Sequence, residues 1–231
     1  MATEDDARWR ERAVERSLRT ARARAVSRSD RFITAATELL SETERTDFTV
    51  QEIVERSKMS LRSFYQHFGS KDELLIALFE EAIHGYIERL RTIVETYDDP
   101  VDQLQAFVTG LYGTVEGAML PGSRALTLYH LQLADSHPNE FANALAPQIG
   151  LVLEIIEAGV AGGQFRTDVE PRQLAMILSQ TLVSALHMRV LGIHMTGVEV
   201  SAEDLWSYCY GGIASSAAPV GIRRKVRGIR R

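Results

Sequence analysis

The run KDELLIALFEEAIHGYIERLRTIVETY, residues 71–97, carries Leu75, Leu78, Phe79, Ala82, Tyr86, Leu90, Ile93 and Tyr97 at steps of three and four. That spacing lines one side of an α-helix, and a helix so long and so apolar on one side needs a second layer to cover it. The same period recurs along most of the chain, and strand-like alternation of Val, Ile and Thr is absent. The pattern predicts an all-α fold.

Helix starts follow from capping boxes, in which a Ser or Thr accepts from the first free amides and an acid three residues on bonds back. Ser27/Asp30, Thr49/Glu52, Ser70/Glu73 and Ser201/Asp204 each precede an apolar periodic segment. The resulting helices span about 28–43, 50–56, 60–67, 71–97, 100–118, 123–135, 138–161, 171–195 and 202–217. Phe32, Ala36, Leu39 and Leu40 form the inner face of the first, and Val50, Ile53 and Val54 that of the second. Pro147 removes a backbone bond inside the 138–161 segment and predicts a kink there. Three short helices before five or six long ones suggest a small head on a larger helical body.

The 231 residues carry a net charge of −5, but the distribution says more than the sum. Arginines 8, 10, 12, 16, 19, 22, 24, 28 and 31 crowd the first segment, and IRRKVRGIRR closes the chain with six bases and no acid. Residues 73–221 hold six bases against eighteen acids. Ends that favour polyanions and a body that avoids them are expected from this balance, with a solvated tail as the alternative at either end. The lone Cys209 excludes an intramolecular disulfide framework. The charged start has no apolar leader-like core, and no run approaches about eighteen consecutive apolar residues, so an intracellular, cytoplasmic protein is expected.

Within KMSLRSFYQHFGSKDEL, residues 58–74, two short helices meet at Ser57-Lys58-Met59 in the manner of a helix-turn-helix. Leu61, Phe64 and Phe68 fall on one side of the second helix and are expected to join Phe32, Ile53 and Met59 in a small core. Arg62, Tyr65 and Gln66 fall on the opposite side. Arg suits a guanine edge, Gln an adenine edge, and a Tyr hydroxyl a phosphate.

TDFTVQEIVERSKMSLRSFYQHFGSKDELLIAL resembles the DNA-binding segment of the TetR family of bacterial transcriptional regulators. Thr49, Ile53, Ser60, Phe64, Tyr65, His67, Phe68, Ser70, Lys71 and Leu74-Leu75 carry the resemblance. AGVAGGQFRTDVEPRQLAMIL, 158–178, is similar to a Gly-x-Phe-Arg-x-Asp-x-x-Pro junction in the family's ligand domain. Two departures stand out: Ser57-Lys58-Met59 replaces the usual Ala-Gly-Val, which predicts a turn of slightly different geometry or a strained one, and Arg62-Ser63 replaces Gly-Thr.

The resemblance implies that Thr49, Ser63, Tyr65, His67 and Lys71 contact phosphates while Arg62 and Gln66 face bases. Capping alone accounts equally well for Thr49 and Ser70; packing along its own helix is the alternative for Tyr65, and a surface position without contact for His67. The Arg-rich arm resembles family extensions that reach the minor groove. A small-molecule pocket is likewise implied, with Tyr86, Phe107, Leu111, Tyr112, Met119, Tyr129, Leu133, Leu153 and His187 as candidate lining, core packing being the alternative for each. Their character favours a largely apolar effector, and Arg124 and Arg189 are the charges suited to an acidic group on it. The last two helices, with small residues Ala175, Ser179, Ala185, Gly211, Gly212 and Ala214, suggest a dimer face.

The chain therefore divides into a basic arm (1–27), a helix-turn-helix domain (28–72), a helical effector and dimerisation domain (73–218) and a basic tail (219–231). The implied function is a homodimeric repressor on a palindromic double-stranded DNA operator, released by its effector. An effector-independent architectural DNA binder and a ligand-dependent activator are the other readings. The histidines 67, 84, 130, 137, 187 and 194 show no metal spacing, and no nucleophile elbow or phosphate loop occurs, so neither catalysis, a metal nor a cofactor is expected.

Overall fold

The computed structural model describes residues 26–117, 123–193 and 197–215. Among these residues there are nine helices and no strand: α1 (residues 26–43), α2 (Val50–Ser57), α3 (Leu61–His67), α4 (Lys71–Val94), α5 (Pro100–Gly117), α6 (Ser123–Ser136), α7 (Pro138–Ala161), α8 (Pro171–Leu191) and α9 (Ala202–Ile213). Met119, His194, the arm up to residue 25 and the tail from 219 lie outside the described residues.

The chain packs as two compact units, whose boundaries pass through α4 and α7. Among the described residues, one holds 26–84 together with 123–144; the other holds 85–117 and those from Leu145. The core of the first is continuous from Phe32, Ala36 and Leu40 of α1 through Ile53, Phe64 and Phe68 to Leu74, Leu78 and Phe79 of α4 and Tyr129 and Leu133 of α6. Within it His130, 4% exposed, lies between the rings of Phe79 and Phe141 at 5.0 and 4.5 Å. In the second unit α5 packs against α8 and α9. There Phe107, Val108, Val152, Ile156 and Ala175 are wholly buried.

Three of the four capping boxes hold, one in altered form. Thr49/Glu52 and Ser201/Asp204 are complete. Ser70 Oγ accepts from the Glu73 amide at 3.1 Å, but the Glu73 carboxylate accepts from Gly69 N–H rather than from Ser70. Ser27 does not mark the helix start, because Val26 is already helical.

The stripe on α4 differs from expectation at its far end. The helix stops at Val94, and Ile93 and Tyr97 are 47% and 43% exposed, whereas Ile87, Leu90 and Val94 are buried. α8 and α9 are also shorter than their periodicity suggests, α8 ending where Gly192 takes the left-handed conformation at φ 68°. α7 remains helical through Pro147.

Both α7 and α8 contain 18-residue windows apolar enough, by length and composition, to cross a membrane, although neither is an uninterrupted apolar run. Part of each helix serves the core: Leu151, Ile155 and Ile156 in α7 and Leu174, Leu178 and Leu182 in α8 are buried. Ala175 and Ser179 share that interior, so they belong to the core rather than to an outward face. Gly211 and Gly212, by contrast, are exposed.

The GQFR segment after α7 has a defined job. Arg166 N–H donates to Ile213 O and Ser215 N–H to Gln164 O, each at 2.9 Å, closing a short antiparallel bridge between Phe165 and Ala214 at the end of α9. Phe165 is 1% exposed against Gly159, where no side chain fits.

Candidate nucleic-acid interface

The helix-turn-helix is assembled by local capping and by a few contacts distant in sequence. Thr49 Oγ1 accepts from the Glu52 amide at 3.2 Å, and Glu52 Oε2 accepts from both Thr49 N–H and Thr49 Oγ1 at 2.6 and 2.7 Å. These bonds, the backbone one first, hold the Glu52 carboxyl below its usual range. They also occupy both donors of Thr49. A phosphate reaching Thr49 competes with Glu52 for them, and capping of this kind is worth about 1 kcal/mol.

At the other end of α2 the turn is closed by Lys58 at φ 55°, ψ 37°, whose N–H bonds back to Val54 and Glu55 carbonyls. The expected strain is present: a lysine occupies left-handed backbone where glycine sits without cost. Arg31 of α1 donates to Ser57 O at 2.8 Å, satisfying a helix-end carbonyl beside that turn. Arg56 forks onto Glu42 of α1 at 2.5 and 2.7 Å. Helices α1 and α2 are thus tied at the turn that aims α3.

Ser60 caps α3, accepting from Ser63 N–H at 3.1 Å. Position 63 is a serine and not an acid, so only half of the capping-box signature is written in the sequence. Phe64 and Phe68, 0% and 6% exposed, meet Phe32 edge-on at 5.5 and 6.2 Å. Arg62, Tyr65 and Gln66 are exposed, and Tyr65 leans edge-on against Phe64 at 5.3 Å.

Leu61 departs from the expected core position and is 45% exposed. The reason is its place in the helix. Helical side chains tilt toward the N-terminus and cover the preceding turn, and at the first residue there is no preceding turn to cover.

His67 Nδ1 donates to Ser63 O at 2.9 Å with its ring 6.1 Å from Phe32. With Nδ1 the donor, Nε2 of the neutral ring is an acceptor, so it offers a phosphate a proton only as imidazolium. Lys71 donates to Thr46 O at 3.1 Å and lies 5.8 Å from the Phe48 ring centre. One of its three ammonium donors is committed there.

The residues considered for a pocket divide between the two units. Tyr129 and Leu133 belong to the core of the first. In the second, the Tyr86 hydroxyl lies 3.2 and 3.1 Å from the Gly110 and Leu111 carbonyls. The Arg189 guanidinium sits over the Tyr112 ring at 4.6 Å, and Phe107 and Leu111 are buried nearby in sequence on the same helix. Leu153 and His187 are half-buried, and burial pushes the His187 imidazole below its ordinary value.

Residues 32–78 match the family model described as bacterial regulatory proteins, tetR family. Over 175 residues the chain is 26% identical to the HTH-type transcriptional repressor KstR2 of Rhodococcus jostii, covering 72% of this chain and 81% of that protein. The fold is shared with RolR, solved with the ligand resorcinol: TM-score 0.63, 18% identity, covering 84% of this chain and 91% of that one. It is also shared with the transcriptional regulator FadR from Bacillus subtilis in complex with stearoyl-CoA: TM-score 0.60, 17% identity, covering 78% and 95%.

Proposed function

We propose that this chain, whose residues 32–78 match the tetR family model, is a homodimeric repressor of transcription, released from a palindromic operator by a small, largely apolar ligand. It acts in the cytoplasm, where the DNA is. The observation that carries this reading is α3 itself: Phe64 and Phe68 lock its inner side to Phe32, and Arg62, Tyr65 and Gln66 project from the outer side at fixed register. That is the arrangement by which a second helix presents donors to base edges in the major groove. Arg62 and Gln66 face bases. Thr49, Ser63, Tyr65, His67 and Lys71 are assigned to phosphates, Thr49 by exchanging a bond with Glu52.

The ligand is assigned to the unit containing α5 and α8, with Tyr86, Phe107, Leu111, Tyr112, Leu153 and His187 as its candidate contacts. Their apolar and aromatic character supports an acyl or aromatic effector, as do the resorcinol and stearoyl-CoA held by the two proteins of like fold. The neutral state favoured for His187 suits a hydrogen bond to an uncharged polar group on such a ligand. The exposed apolar side chains of α8 and α9, Met176, Ile177, Met188 and Tyr208, support a twofold face that sets two copies of α3 about one DNA turn apart.

Footprinting on the DNA upstream of its own coding sequence tests the reading. A protected palindrome is expected; uniform, steeply salt-dependent binding without protection sinks it and favours an architectural role. Arg62→Ala relaxes preference at one position in each half-site, whereas equal weakening on every sequence makes Arg62 a phosphate contact. A thermal-shift screen of fatty acids, acyl-CoAs, steroids and aromatic compounds identifies the ligand class, since a binder of the folded state raises the midpoint.

A further inference from the structure

Leu61 opens the recognition helix, and 45% of it faces solvent. Its neighbours on the outward surface are Arg62, Tyr65 at 56% exposure, and Gln66. The first turn is closed locally, because Ser60 Oγ and Ser63 N–H are bonded to each other. Leu61 and Arg62 are therefore the first side chains of α3 available to a surface lying against it. In helix-turn-helix docking the N-terminal residues of the second helix are those that meet base edges.

A leucine has no donor or acceptor, so it is blind to every major-groove feature except one. Only thymine presents an apolar group there, its 5-methyl. We propose that Leu61 reads a thymine methyl at one position in each operator half-site, beside the base read by Arg62. The inference rests on the regulatory reading above and adds to it a specificity-determining residue and the base it selects.

The probe is the protected operator with each thymine replaced singly by deoxyuracil, which keeps the pairing and removes only the methyl. With the full-length chain, one position per half-site is expected to lose roughly three- to fivefold in affinity, the scale set by burying one methyl. In Leu61→Ala the same position becomes indifferent to uracil while the effect of Arg62→Ala is unchanged, and Leu61→Met restores the sensitivity. Being exposed, Leu61 is replaceable without loss of the core, and an unchanged melting midpoint verifies that. A protected operator indifferent to uracil at every thymine, or a uracil effect that persists undiminished in Leu61→Ala, overturns this proposal alone. Absence of any protected operator overturns both it and the regulatory reading.

Discussion

Lys58 shows how one residue stores energy in the turn that aims α3. For an L-residue with a side chain, left-handed backbone costs about 1 kcal/mol, and Lys58 sits there at φ 55°. Lys58→Gly is expected to raise the unfolding free energy by about 0.5–1 kcal/mol in urea titration, the relief exceeding the added entropy of the unfolded chain. This strain was legible in the sequence, as a lysine at the glycine position of a recognisable turn. The Thr49/Glu52 box was legible too, because its bonds span three residues. Neither Arg31 nor Leu61 was. The acceptor of Arg31 lies 26 residues away on another helix. Leu61 was misread because periodicity assigns a side by angle alone, and at a helix end the angle does not say whether anything lies beneath.

At the scale of elements, the connection from α7 to α8 is held by shape. A Cβ added to Gly159 meets the Phe165 ring at 2.2 Å, a distance only movement of the ring or backbone relieves. Gly159→Ala is expected to cost about 1–3 kcal/mol, the usual range for overpacking. Phe165→Leu placed in the Gly159→Ala chain should recover part of that loss, and a double-mutant cycle by chemical denaturation reads the coupling. Additive losses would mean that the glycine is needed for some other reason. The motif around Phe165 was visible in the sequence, but its partner was not: the backbone of α9's last turn contributes carbonyls and amides that any sequence would carry. Helix ends show the same division. Capped starts were placed closely because caps are local, whereas the ends of α4, α8 and α9 were overrun because an apolar period does not cease where packing ceases.

At the scale of the whole molecule, α8 offers the clearest test of assembly. Ile177 is 58% exposed beside Met176 on a helix whose other side is core. Ile177→Glu is expected to leave a folded monomer by sedimentation and to weaken operator binding by at least about tenfold, the loss expected when paired half-sites are no longer joined; an intact dimer would remove this face from the interface. Acid should destabilise the fold in two stages. Burial depresses the His187 value, so the folded state favours its neutral ring, and the stability this brings is lost as pH falls below about 6.5. Glu42 and Glu154 are held low by Arg56 and Arg91, Glu52 and Asp204 by their cap partners Thr49 and Ser201, and Asp168 by Arg166. Their contributions are present above the ordinary values of 4.5 and 3.8 and disappear as pH falls through the lowered ones. Thermal midpoints across pH should show a shallow decline followed by a steeper one, with His187→Gln removing the first. By itself the sequence determined the helical class, most helix starts and the register that turns Arg62 and Gln66 away from Phe64 and Phe68, because each depends on residues within a turn or two of one another. Tertiary structure alone decided that Leu61 faces out, that Ala175 and Ser179 face in, and that α6 shares its core with the head. These depend on what a neighbouring element covers, and no local pattern encodes that.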